Sequence, residues 1–162
     1  MQNTAKRLFE VLEKNHMTVA TAESCTGGMI GATLTSLSGV SNCYGFGFVT
    51  YANEAKEKLL GVSHKTLETH GAVSPDTACE MAQGALGVSG ADIAISVTGI
   101  AGPGGGTLQK PVGLVYIGIA RKGKDAVAYK NNFSGDRQSV RKQTVIKAFE
   151  LAIETIEGES EK

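Results

Sequence analysis

The stretch Thr21-Ala22-Glu23-Ser24-Cys25-Thr26-Gly27-Gly28 decides the fold class of this chain. A short β-prone run, Met17 to Ala22, leads into it, and a stretch with helical character, Thr26 to Leu37, leads out. A strand that passes through glycines into a helix is the repeating unit of α/β sheets. Ligands in such sheets bind beyond the carboxyl ends of the strands. Gly27, Gly28 and Gly31 at the start of the helix fit close helix–strand packing, or a ligand held against backbone amides.

The same alternation continues on both sides. Upstream, residues 4–15 read as a helix, with Leu8, Val11 and Leu12 on one face. Downstream, Tyr44 to Tyr51 reads as a strand and Asn53 to Leu60 as a short helix with Asn53 as its cap. Ser74-Pro75-Asp76 starts another helix, with a cap, a proline at the first helical position and an acid in the first turn. Asp92 to Thr98 is a strand. Pro111 to Ala120 and Ala126 to Phe133 are two strands around Arg121-Lys122-Gly123-Lys124-Asp125, a hairpin that makes the sheet mixed. Ser134-Gly135-Asp136 opens a last helix with the stripe Val145, Phe149, Ala152, Ile153 and Ile156. Gly158 is its expected stop, with fraying from Glu159 to Lys162. The expected fold is a single three-layer α/β/α domain over residues 1–162, with a mixed, partly parallel sheet and no internal repeat.

Composition narrows the function. Sixteen Lys+Arg balance sixteen Asp+Glu, so no whole-surface basic field for nucleic acid exists. No apolar run approaches the roughly 20 residues that span a bilayer, and no signal-peptide core follows the first residues, so a cytoplasmic location is expected. Cys25, Cys43 and Cys79 have neither zinc-ligand nor redox spacing, and His16, His64 and His70 are scattered, so no metal site is expected. Glycine is enriched at 21 residues, five of them between Gly99 and Gly106, where backbone must turn sharply or approach something closely.

Four segments can carry chemistry. Ser24 at the strand-to-helix junction reads either as a helix cap or as a nucleophile facing the amides of Thr26, Gly27 and Gly28, which would hold an oxyanion. Cys25 competes with it as a thiol at a helix start. Tyr51 and Lys56 form the second segment; a partly desolvated lysine can act as the base of a serine. The third, Thr98-Gly99-Ile100-Ala101-Gly102-Pro103-Gly104-Gly105-Gly106-Thr107, matches neither a Walker loop nor a dinucleotide fingerprint. It reads as a backbone cradle for a phosphate, carboxylate or ribose, with Lys110 as counter-charge, or as a wide surface loop. The fourth places Arg137 and Arg141 four residues apart at a helix start, suited to a phosphate or to solvent.

Taken together, these segments resemble the CinA C-terminal-domain family. The resemblance is carried by Thr21 to Gly28, then Val49-Thr50-Tyr51-Ala52-Asn53-Glu54-Ala55-Lys56, Leu59-Leu60-Gly61-Val62 and Gly71-Ala72-Val73-Ser74. It continues through Val97-Thr98-Gly99-Ile100-Ala101-Gly102-Pro103, Lys110-Pro111-Val112-Gly113 and Gly135-Asp136-Arg137, over nearly the whole chain. The resemblance implies a nicotinamide-nucleotide amidase, which hydrolyses the carboxamide of nicotinamide mononucleotide to nicotinate mononucleotide and ammonia in pyridine nucleotide salvage. It implies Ser24 as nucleophile with Tyr51 and Lys56 beside it, and no metal or organic cofactor. The substrate would be held by Thr26, Gly27, Gly28, Asn53, Thr98, Gly99, Ala101, Gly102, Lys110, Arg137 and Arg141. It further implies a homodimer or larger homo-oligomer; no nucleic acid or membrane is expected as partner, from the neutral charge and the lack of a long apolar run. The alternative in a different class is a non-catalytic nucleotide sensor linked to competence or DNA damage, using the same pocket without turnover. An amidase for another small amide is the third reading.

Overall fold

The computed structural model describes residues 1–160. In chain order the elements are α1 (Gln2–Lys14), β1 (Val19–Glu23), α2 (Met29–Thr35), a 3-10 turn (Val40–Asn42), β2 (Tyr44–Val49), α3 (Asn53–Leu60) and α4 (His64–His70). They continue with α5 (Pro75–Ser89), β3 (Ile93–Gly99), β4 (Leu114–Arg121), β5 (Val127–Asn132) and α6 (Arg137–Ser160). The strands form one sheet in the order β2-β1-β3-β4-β5. β1 runs parallel to β2 and to β3, while β3–β4 and β4–β5 are antiparallel.

The period-2 alternation of the strands sorts residues by size onto two faces. Val19, Ile93, Ile95, Val97, Val115, Ile117 and Ile119 form one core with α1, α2 and α6. Ala20, Ala22, Ala94 and Ala120 form the other with Leu60, Met81, Ala82 and Ala85. The result is three layers, α/β/α. The small-residue face lets α5 approach the sheet closely. Ser96 Oγ donates to the Ala78 carbonyl at 2.5 Å, and a Cβ on Gly118 would overlap that same oxygen. Gly84 of α5 lies against the backbone of Leu60, the last residue of α3, so closely that a Cβ would overlap its carbonyl.

This topology places the site. From β1 the chain crosses to β2 through α2 on one face. From β2 it returns to β3 through α3, α4 and α5 on the other. The carboxyl ends of β1 and β3 therefore border a crevice at a switch in chain direction.

Several local expectations are corrected. The second helix starts at Met29 rather than Thr26, because Gly27 (φ 58°) and Gly28 (φ 94°) are left-handed and form a turn. Asn53 is the first helical residue of α3, and Ala52 stands at the cap. α4 has no counterpart in the sequence reading; of its seven residues only Leu67 is buried, so it carries no apolar stripe. The last helix passes through Gly158 to Ser160. Gly158 is a helical residue with open space around it, not a left-handed cap, and a lone glycine costs only about 1 kcal/mol in a helix. The fraying expected at Glu161 and Lys162 lies outside the described residues.

Candidate active site

Ser24 is the first residue beyond β1, and its amide donates to the Val97 carbonyl of β3 at 3.0 Å. The nucleophile candidate is thus anchored to the sheet. Lys56 sits one turn into α3 and is 1 % exposed. Its Nζ donates to Ser24 Oγ at 3.2 Å, to the Thr50 carbonyl at 2.8 Å and to the Tyr51 carbonyl at 3.4 Å. All three partners are neutral. With no carboxylate to hold its charge, burial lowers the Lys56 pKa below the ordinary lysine range. A lysine that can lose its proton and touches a serine hydroxyl has the geometry a general base requires.

The competing thiol is disarmed. Cys25 lines the same crevice, but burial pushes its pKa up to about 12, so it stays protonated near neutrality. Cys43 lines a larger hollow of about 410 Å³ beside α1, at the amino ends of β1 and β2 and not at the carboxyl ends where the crevice lies. Burial raises that thiol as well, and it donates to the Val40 carbonyl at 3.5 Å.

The crevice has a volume of about 190 Å³. Ser24, Lys56 and Thr98 lie in it, Gly99 at the end of β3 and Ala101 just beyond it form one wall, and Tyr51 and Arg137 complete the lining with Ala72 and Val73. Thr98 is buried, and its hydroxyl donates to the Ala72 carbonyl at 2.7 Å, pinning the opposite wall. Arg137 is exposed; it donates to the Gly102 carbonyl at 2.8 Å and to the Tyr51 hydroxyl at 3.1 Å. These partners are neutral too, so the guanidinium keeps its charge available for an anion at the mouth.

The remaining expected site residues are placed differently from the expectation, although Tyr51 still lines the crevice. Tyr51 does not stand between Lys56 and Ser24: it is 62 % exposed, and its hydroxyl pairs with Arg137. Asn53 is exposed and does not line the crevice. Lys110 donates to the His70 carbonyl at 2.6 Å, behind the wall, instead of facing the glycine loop. Gly102 is buried, but residues 103–109 are exposed, so only the first part of that loop forms the cradle. Arg141 donates to the Thr26 carbonyl at 2.7 Å and so grips the turn rather than the crevice. In that turn the Gly27 amide is used by the Ser24 carbonyl (3.0 Å) and the Gly28 amide by Glu23 Oε2 (3.1 Å).

Glu23 is the residue that sequence reasoning passed over. It ends β1, is 2 % exposed, and caps α2 through its side chain, a task expected of Ser24 or Thr26. The available signal was an acid inside an apolar strand end, which must find donors when buried.

A family model described as the CinA C-terminal domain matches residues 1–156. A putative competence-damage inducible protein of Clostridium novyi is 52 % identical over 143 residues, covering 88 % of this chain and 34 % of that protein. A CinA-like protein of Endomicrobium trichonymphae is 55 % identical over 141 residues, covering 87 % of this chain and 33 % of that protein. The chain thus spans about a third of the length of these curated relatives. Among solved structures, the competence/damage inducible protein CihA from Agrobacterium tumefaciens has a TM-score of 0.91 at 44 % identity, covering 94 % of this chain and 93 % of that one. A competence-damaged protein (CinA) superfamily protein from Klebsiella pneumoniae has a TM-score of 0.93 at 35 % identity, covering 97 % and 98 %.

Proposed function

Because the chain belongs to the CinA C-terminal domain family, and because Lys56 touches Ser24, we propose that it is an amidohydrolase for nicotinamide mononucleotide. The observation that carries this reading is the buried, carboxylate-free Lys56 ammonium 3.2 Å from Ser24 Oγ. Neutral Lys56 takes the Ser24 proton as Oγ attacks the carboxamide carbon. The tetrahedral intermediate collapses, the C–N bond breaks, and the Lys56 proton leaves with ammonia. Lys56 then deprotonates a water, which cleaves the acyl-enzyme to nicotinate mononucleotide and returns the proton to Ser24. Arg137 at the mouth supports a substrate with a phosphate. The same reading includes no metal or organic cofactor, a cytoplasmic location and a homo-oligomer. Half-exposed Phe46 and Val49 on the edge strand β2 offer a surface for a second copy. No helix among the described residues is long and apolar enough to cross a membrane.

The test is release of ammonia and nicotinate mononucleotide by the purified protein. Ser24→Ala is expected to lower turnover by about 10⁴-fold or more with unchanged folding. A Ser24→Ala protein that keeps wild-type turnover removes Ser24 as nucleophile. Tight nucleotide binding without ammonia release from the wild type would favour the sensor reading. Arg137→Ala is expected to raise KM about tenfold or more for the nucleotide, with a much smaller effect for nicotinamide riboside, which lacks the phosphate. Equal KM changes for the two would remove the phosphate contact.

A further inference from the structure

We propose that Glu23 is a positioning residue for Ser24, and that the amides of Cys25 and Thr26, which it leaves unused, form the oxyanion site. This deepens the amidase reading and rests on its assignment of Ser24 as nucleophile.

The buried Glu23 carboxylate accepts four hydrogen bonds. Oε2 takes Thr26 Oγ1 at 2.6 Å, the Gly28 amide at 3.1 Å and the Ile30 amide at 3.0 Å; Oε1 takes the Gly31 amide at 2.9 Å. Both oxygens therefore accept from the turn, and Glu23 does not line the crevice. What it does is fold the Ser24–Gly28 turn back over the end of its own strand. Thr26 is held at its hydroxyl by Glu23 and at its carbonyl by Arg141. Each amide in the turn can be followed. Ser24 N donates to Val97, Gly27 N to the Ser24 carbonyl and Gly28 N to Glu23. Among the described residues, the Cys25 and Thr26 amides are the two in this turn with no carbonyl or carboxylate acceptor; the Cys25 amide faces only its own sulfur. Two adjacent unspent amides directly after a nucleophile are the donors an oxyanion needs, provided the turn is held still. The Glu23 carboxylate supplies that restraint from the residue immediately before Ser24.

The experiment reads Ser24 with two probes. One is carboxamide turnover; the other is covalent capture by a fluorophosphonate, followed by mass spectrometry. In that capture Ser24 Oγ bonds to phosphorus, fluoride leaves and Lys56 takes the proton. In Glu23→Gln the side-chain NH₂ would face backbone donors, so the turn loses acceptors. Capture and kcat are expected to fall together about 10- to 100-fold at 25 °C, with KM changed less than about twofold. Thr26→Val removes only the hydroxyl bond and is the variant to use if Glu23→Gln does not fold. It is expected to slow both reactions, while Thr26→Ser restores them. A purely structural cap would lower the thermal midpoint and leave the rate per folded molecule unchanged. Folded Glu23→Gln or Thr26→Val protein that captures the probe at the wild-type rate overturns the proposal. Glu23-dependent capture without nicotinamide mononucleotide turnover removes the substrate reading and leaves this inference standing. No capture at Ser24 in the wild type overturns both.

Discussion

Lys56→Met is expected to lower kcat about a thousandfold while leaving the protein at least as stable as the wild type. Two opposing terms decide the stability. Losing the donor to the Thr50 carbonyl costs about 1–3 kcal/mol. Relieving the burial of an ammonium with no carboxylate partner returns several kcal/mol, which is larger. The pH dependence follows from the lowered Lys56 pKa. Turnover by the wild type should rise with pH and level off below the titration range of a free lysine. The folded pKa lies below the unfolded one, so between them the unfolded chain binds more protons. Stability attributable to Lys56 therefore rises with pH across that alkaline window, and the rise is absent in Lys56→Met. Denaturation midpoints of both proteins at several pH values, with ammonia release alongside, check each part. A marked loss of stability in Lys56→Met would show that the lysine is structural.

The second large effect comes from a residue outside the crevice. Gly84→Ala places a Cβ into the Leu60 carbonyl, with the Leu60 carbonyl carbon and Cα only 2.7 and 2.9 Å away. All three atoms are backbone, so no side chain can rotate aside, and α3 must move off α5. The expected cost is about 3 kcal/mol, or a fall in melting temperature of roughly 6–12 °C for a chain of this size. Lys56 lies one turn before Leu60 on α3, so turnover should fall at least about tenfold in the protein that remains folded. Gly87→Ala is the matched control. It sits on the same helix, a Cβ there meets nothing within 4 Å, and it should gain about 0.5–1 kcal/mol. Equal stability of the two variants would refute the backbone contact.

Most elements were legible because their signals are local. The cap, proline and acid of Ser74-Pro75-Asp76 mark α5, with the Thr77 amide on Ser74 Oγ at 3.1 Å. The stripe on α6 is buried at Val145, Phe149, Ala152, Ile153 and Ile156. Ser24, Lys56, Thr98 and Arg137 were also singled out from the sequence, and they meet in one crevice although 113 positions separate the first from the last (137 − 24). What failed was partner choice. Arg141 and Arg137 share a helix face, yet one grips the Thr26 carbonyl and the other the crevice rim, and spacing alone treats them alike. Lys110 was paired with the nearest glycines in sequence but reaches a carbonyl 40 residues away. The demand of Glu23 for donors arises only once β1 is buried on both faces, which is a property of the assembled sheet.

The unequal faces of the sheet also divide the molecule mechanically. On the α5 side, backbone meets backbone at Gly84 and Gly118, and little side-chain volume is left to compress. Ser24 hangs from β3 and Lys56 from α3, so the hydroxyl and the amine of the crevice both ride on this half. Arg137 rides on α6, which meets the sheet through the side chains of Ile153, Phe149 and Val145 rather than through its backbone. The close backbone contacts thus lie on the side that carries Lys56, and the 3.2 Å separation from Ser24 Oγ is set by them rather than by the side-chain packing that seats Arg137.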